Sequence, residues 1–322
     1  MKDNISNILC VLHDTHGQDS LVQRAMNIAQ KYQAELTVML AMESLPPNAR
    51  MIMQSFEYLE SQSSINQTAQ DWLDEKAATW SQQYPVKTVV TIGDRFIDII
   101  HHVTNNNHDL VIKQNENEAS GYITSSDDKH LPRKCPCPVW IMQADELTKD
   151  KQVVAAIDVN YHYPEHEVSL RKQLAFDILF HAWQLAALEN ASLHIVHVYD
   201  GVPENILRQG FISVNEDAAQ QDLNAIRQER QEEIDRLLGV LALEVKDSEG
   251  SELKPQVHLV RGYPRREIAN TANACGATTL VMGTLSRLGV PGYIMGGTAE
   301  ETLEQVECAL YGLKPQGFTS PV

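Results

Sequence analysis

The sequence predicts an α/β protein made of two tandem doubly wound domains, each built on a five-stranded parallel sheet. Three observations predict it. The chain has 322 residues, about two domains at roughly 150 residues each. The same order of short apolar runs and helix-period segments is written twice. Within each half the apolar runs alternate with the helical segments, which implies βαβ units, hence parallel strands covered on both faces and joined by right-handed crossovers.

Each half opens on an apolar run, Ile8-Leu9-Cys10-Val11-Leu12 and Val153-Val154-Ala155-Ala156-Ile157. A helix-period segment follows. Leu21, Ala25, Ile28 and Ala29 share one face in the first half, and Leu174, Ile178, Ala182 and Leu185 do so in the second. A second strand comes next, Leu36–Leu40 against Leu193–Val198, then a long polar helix at about 50–83 and 215–243. The third strand ends in glycine in both halves, at Gly93 and Gly262, and a helix starts soon after, at Ile97 and Glu267. The fourth strand is Leu110-Val111-Ile112 against Leu280-Val281-Met282. Each half closes with a cysteine and a last strand, Cys137–Ile141 and Cys308–Leu313.

Matched positions are offset by 145 at the first strand, 157 at the second, 169 at the glycines, 170 at the fourth strand and 171 at the cysteines. Two insertions of about a dozen residues in the second half, around Tyr161–Arg171 and in 200–250, account for most of the drift. The expected domains are 1–145 and 151–322, joined by a short polar linker, Gln143–Lys151. The closing strands should lie at sheet edges, where they can pair within one chain as an intramolecular pseudo-dimer. A further homodimer is also open.

Net charge is −17. Residues 1–150 carry 12 basic and 20 acidic side chains (−8), and the rest carry 14 and 23 (−9). Both halves repel a phosphate backbone, so direct nucleic-acid binding is not expected. No apolar run reaches the ~18 residues of a membrane span. Met1-Lys2-Asp3-Asn4 leads straight into the first strand without signal-peptide character, which predicts a cytoplasmic protein. The 5 cysteines are odd in number and irregularly spaced, unlike a secreted disulfide framework.

The chemistry concentrates after the fourth strand of the second half. Val281-Met282-Gly283-Thr284-Leu285-Ser286-Arg287-Leu288-Gly289 is followed by Met295-Gly296-Gly297-Thr298-Ala299-Glu300. This resembles the nucleotide loop of the universal stress protein family, G-x2-G-x9-G-[S/T]. The flanking "VMGT", "GGTAEETL" and "LKP", and the tandem layout, resemble the two-domain E-type branch. The resemblance implies the adenine nucleotide alpha-hydrolase-like fold and a site at the carboxyl edge of the second sheet. Carried over residue by residue, it implies that Asp158 meets the nucleoside and Val198 the adenine. Met282 and Gly283 would end the fourth strand, with Ser286, Gly296, Gly297, Thr298 and Ala299 in the phosphate loop. ATP, with magnesium, is the implied cofactor.

The loop makes sense without the name. Glycines past a strand let the backbone approach phosphate oxygens, and helix-start N–H groups at Gly297-Thr298-Ala299 would face an anion. Ser286 stands where the pattern has its second glycine. Gly297 and Ala299 stand where it has hydroxyls, and each missing hydroxyl forfeits about 1 kcal/mol. The first half has Lys113-Gln114-Asn115-Glu116-Asn117-Glu118 there, and His13 where the second has Asp158. No cofactor is expected in the first half.

The expected function is therefore a non-catalytic stress protein, by resemblance involved in resistance to stress including DNA-damaging agents, with a nucleotide or other small-molecule ligand as partner. One rival is a sensor or carrier of a partly apolar, non-adenylate ligand in a cleft between the domains, walled by the segment Ser55–Tyr84. The other is a slow ATPase. No P-loop, G-x-G-x-x-G or G-x-S-x-G signature is present. No metal site is expected: His101-His102 point to different helix faces, His13-Asp14-Thr15-His16 reads as a polar loop, and Pro164 divides His162 from His166. Cys135-Pro136-Cys137 reads as structural rather than redox-active.

Overall fold

The computed structural model describes residues 5–44, 55–116, 122–123, 125–143, 150–199, 216–246, 248, 252–284 and 297–322. The chain divides into two compact units at 144/145, with residues 319–322 grouped with the first and 120–123 with the second.

The first unit runs β1 (Asn7–Leu12), α1 (Asp19–Tyr32), β2 (Glu35–Glu43), α2 (Ser55–Trp80), β3 (Val86–Gly93), α3 (Arg95–Asn106), β4 (Leu110–Gln114), α4 (Ser126–Lys134), β5 (Val139–Met142). Its strands lie in the order β3-β2-β1-β4-β5, every pairing parallel. Ile8 to Leu12 are at most 1% exposed, as a strand covered on both faces requires. The predicted face of α1 is the buried one: Leu21, Ala25, Ile28 and Ala29, joined by Val22 and Met26. That helix ends at Gln33, which takes the left-handed conformation (φ 55°) and returns its N–H to the carbonyls of Ala29 and Gln30. In α2, Ala69, Leu73 and Trp80 turn inward.

The second unit runs β6 (Gln152–Ala156), α5 (Glu165–Glu189), β7 (Ser192–Tyr199), α6 (Glu216–Glu244), β8 (Gln256–Arg261), α7 (Pro264–Ala274), β9 (Thr279–Gly283), α8 (Gly297–Leu303), β10 (Ala309–Leu313). Its order, β10-β9-β6-β7-β8, is again wholly parallel. Counted within the unit this is 3-2-1-4-5 read from the other edge, the same doubly wound order as the first. Chain direction reverses its lateral progress between β6 and β9, and the carboxyl end of that pair is where such sheets bind ligands. The insertion around Tyr161–Arg171 is partly helix: α5 begins at Glu165, behind Pro164 as N-cap, and so starts two turns before the apolar face predicted for it. No helix among the described residues is long and apolar enough to cross a membrane.

Candidate functional site

A cavity of about 530 Å³ opens at the carboxyl ends of β6, β7 and β9. Small-molecule sites commonly span roughly 300–1,000 Å³. All its walls come from the second unit. Asp158, Val198, Met282, Gly283, Thr298 and Ala299 line it together. Ser286 and Gly296 lie outside the described residues, and Gly297 is the first residue of α8.

Asp158 follows β6 by two residues. Its Oδ1 accepts from the Asn160 backbone N–H at 2.9 Å, which folds the chain into a tight turn. Its Oδ2 accepts from the Tyr163 hydroxyl at 3.2 Å, and Arg171 Nη1 stands 3.8 Å away. The Arg171 guanidinium lies over the Tyr163 ring at 3.5 Å and pairs with Glu167 at 2.8 Å. Burial and the neighbouring Asp158 carboxylate push the Tyr163 phenol above its ordinary value, so it donates rather than ionises. A second guanidinium, Arg230 of α6, is 4% exposed and donates to Asn160 Oδ1 at 3.2 Å.

His197 lines the same cavity and is 1% exposed. Its Nδ1 donates to the Ile157 carbonyl at 3.1 Å, which leaves Nε2 as the acceptor. Nε2 has no hydrogen-bond partner among the described residues. Burial, above all, holds the ring below its ordinary pKa and therefore neutral.

Gly283 ends β9 with ordinary backbone angles. Its lack of a side chain serves space rather than a turn: a Cβ there would stand 3.1 Å from Leu174 Cδ2 and 3.6 Å from Ile178 Cδ1 of α5. Leu174, predicted for the core face, is only half-buried because it looks into the cavity. Just beyond Gly283, the Thr284 hydroxyl bonds the Leu313 carbonyl at 3.3 Å and also accepts from Lys314, whose ammonium stands 5.5 Å from the Phe318 ring. The "LKP" stretch thus pins the base of the loop.

Comparison with known proteins fits this layout. The family profile described as "Universal stress protein family" matches residues 4–143 and 171–311. The chain belongs to the universal stress protein family. It is similar to a protein of Photorhabdus laumondii named Universal stress protein E, 25% identical over 330 aligned positions that cover 99% of this chain and 98% of the relative. Among solved structures, a functionally unknown protein of Pseudomonas aeruginosa PAO1 matches with a TM-score of 0.63 at 24% identity, over 97% of this chain and 93% of that one. A universal stress protein of Archaeoglobus fulgidus matches with a TM-score of 0.59 at 17% identity, over 98% and 99%. Two tandem universal stress domains are therefore the architecture of this chain, consistent with the adenine nucleotide alpha-hydrolase-like fold.

The first universal stress domain fills the equivalent place with its own charges. At the end of β4, the Lys113 ammonium, 2% exposed, binds Asp128 Oδ1 at 2.6 Å and Glu116 Oε1 at 2.7 Å. Asp128, fully buried in the first turn of α4, also accepts from the Glu116 backbone N–H at 2.9 Å. Arg95 binds Asp127 at 2.8 Å, Glu43 at 3.1 Å and Glu116 at 3.2 Å. His13, at the end of β1, sits within the field of this cluster. Burial first, and then the Lys113 charge, lower its pKa.

Sequence reasoning missed Arg171, Arg230, Tyr163, Asn160 and His197. Tyr163 and Arg171 lie in the inserted segment, which has no counterpart in the first half to compare. Arg230 is one charge among many on a polar helix, and only packing shows that it faces inward. The structure also brings His194, His258 and Cys275 together, ligand atoms within 4.8 Å, where no metal-like spacing is visible in the sequence.

Proposed function

We propose that this protein is a non-catalytic stress protein whose second domain binds an adenine nucleotide or a close analogue at the carboxyl edge of its sheet. The observation that carries the reading is the convergence on one cavity of Asp158, Val198, Met282, Gly283, Thr298 and Ala299. Arg171 and Arg230 support it. They put two guanidiniums in the cavity wall of a chain of net charge −17, Arg171 held by Glu167 and Arg230 by Glu229 and Asn160, and a phosphate would share or exchange these partners. Such donors replace what the absent hydroxyls at Gly297 and Ala299 would give. His197 Nε2 adds a buried acceptor for a base N–H. Asp158 is the one carboxylate among the described lining residues, and Tyr163, Asn160 and Arg171 already engage it. Among the described lining residues there is no oxygen set for magnesium, which would arrive with the ligand's phosphates.

Calorimetric titration of the full chain with ATP, ADP and AMP tests the reading. One saturable site per chain is expected. No heat and no saturable response at millimolar nucleotide would remove the nucleotide claim. Phosphate release that Asp158→Ala abolishes would instead make the protein a slow ATPase.

A second reading is favoured by the apolar part of the wall, Ile157, Leu174, Ile178, Val198, Ile268 and Met282. It makes the same cavity a receptor for a partly apolar, non-adenylate molecule. Mass spectrometry of what copurifies with the chain separates the two.

A further inference from the structure

The cavity uses the carboxyl ends of β6, β7 and β9. A separate cluster lies toward the other end of β7 and β8, on the side where α7 packs. His194 is the third residue of β7, about 13 Å along the strand from Val198 at ~3.3 Å per residue. His258 is the third residue of β8. The parallel register sets Val196 opposite His258 and His194 opposite Gln256, so the two imidazoles project from the same face. Cys275 is the C-cap residue of α7, which returns over that face.

The three side chains are arranged as a ligand set. His194 Nδ1 lies 3.0 Å from His258 Nε2, and Cys275 Sγ lies 3.7 Å from the same nitrogen. All three atoms are within 4.8 Å of one another. Bonds of ~2.0–2.1 Å to nitrogen and ~2.3 Å to sulfur at tetrahedral angles require N···N and N···S separations of about 3.3 and 3.6 Å. These two pairs need adjustments of only a few tenths of an ångström. Gln152 Oε1 accepts from His194 Nε2–H at 3.0 Å, which directs the Nδ1 lone pair into the cluster. Metal-binding histidines are typically held this way by an outer partner. His194 is buried, while His258 and Cys275 are half-buried, so an ion can reach the site from solvent.

We propose that His194 Nδ1, His258 Nε2 and Cys275 Sγ form a three-ligand site for a zinc-class divalent ion, with the fourth position left to water or an outside ligand. Two imidazoles and a thiolate suit such borderline ions and not magnesium or calcium. Binding balances simply. The Cys275 S–H bond breaks, an S–metal bond forms, and one proton leaves to solvent. His258 moves its proton from Nε2 to Nδ1 with no net loss. Burial, which raises the Cys275 thiol and lowers His194, keeps both neutral before the ion arrives.

The test is titration of the reduced full-length chain with Co²⁺ as probe, followed by displacement with Zn²⁺. One equivalent should produce a thiolate-to-cobalt charge-transfer band and release one proton per ion. Mg²⁺ and Ca²⁺ should produce nothing. Cys275→Ser should abolish the band, and His258→Gln should weaken affinity at least tenfold, each with an unchanged circular dichroism spectrum. Gln152→Leu, a change at a positioning residue, should weaken affinity by about 10–100-fold while leaving the band's shape intact. The absence of a band together with no competition for Zn²⁺ against a micromolar chelator would overturn the proposal. So would a band that survives Cys275→Ser, which would transfer the site to other thiols such as Cys135 and Cys137.

Discussion

Replacing Lys113 by methionine removes the cation paired with Asp128 from the charge cluster of the first domain, leaves Arg95 in place and keeps the packing volume. Asp128 would then hold a fully buried carboxylate whose remaining described hydrogen bond comes from the Glu116 backbone. Breaking one side of a buried pair costs about 3–5 kcal/mol, because the partner stays charged and dry. With a urea dependence of about 1–3 kcal/mol per molar, the unfolding midpoint of this domain should fall by about 1 M or more. Tryptophan fluorescence can follow it, since Trp140 is 1% exposed in β5. The double variant Lys113→Met/Asp128→Asn removes both charges and keeps an acceptor, so it should recover most of the loss. Acid adds a signature. Burial alone would raise the Glu116 pKa, but Lys113 and Arg95 outweigh it and hold the carboxyl below its ordinary value. A depressed folded pKa gives stability that is present above the unfolded value and lost as pH falls through the folded one. The wild-type advantage over Lys113→Met should therefore narrow below about pH 4.5. A single-variant midpoint within ~0.3 M of wild type would refute the reading of this pair as dry and mutually dependent.

Other perturbations read the second domain and the remaining histidines. Gly283→Val forces methyls into Leu174 Cδ2 and Ile178 Cδ1, and should cost about 1–3 kcal/mol in thermal unfolding along with nucleotide binding by calorimetry. Arg230→Lys keeps the charge but loses the fork, and should weaken nucleotide binding about tenfold, roughly the 1.4 kcal/mol of one charge-assisted bond. Burial first, then the charge of His102, depress the His108 pKa to about 4. Its stabilising contribution is complete above the unfolded value of 6.5 and is lost as pH falls toward 4. An NMR titration should show this imidazole still neutral at about pH 5, and a midpoint above 6 would contradict the burial argument.

The fold was legible because its signals are local and repeated. Ile8–Leu12 and Val153–Ile157 read as buried strands from composition alone, and Leu21-Ala25-Ile28-Ala29 already defines the buried face of α1. The glycine at 283 was legible as a site residue, but its physical role was not. Its backbone needs no special angles, and what it avoids is a leucine more than a hundred residues earlier. The inward arginines were hidden because side-chain direction on a 29-residue polar helix depends on its packing. The His194–His258–Cys275 cluster was hidden for a related reason. Its members are 64 and 17 residues apart, and only the pairing of β7 with β8 makes them neighbours.

The two domains share a strand order and differ in what occupies the end of the fourth strand. In the first, Lys113 and Arg95 are spent on Glu116, Asp127 and Asp128, so an incoming phosphate would face carboxylates whose cations are already engaged. In the second, Gly283 and a half-buried Leu174 leave a cavity with two guanidiniums in its wall, each paired with a carboxylate of its own helix, Arg171 with Glu167 and Arg230 with Glu229, so the difference lies in the open space rather than in free cations. A ligand that binds only the folded second domain stabilises it by RT ln(1 + [L]/Kd), about 2.7 kcal/mol at a hundredfold excess over Kd. That energy should appear unevenly. With saturating nucleotide, amide hydrogen exchange should slow in β6, β7, β9 and the start of α5, while β1, β2 and β4 exchange as before. Equal slowing in both domains would mean that the internal ion network does not exclude ligand from the first, and the proposed division between them would fall.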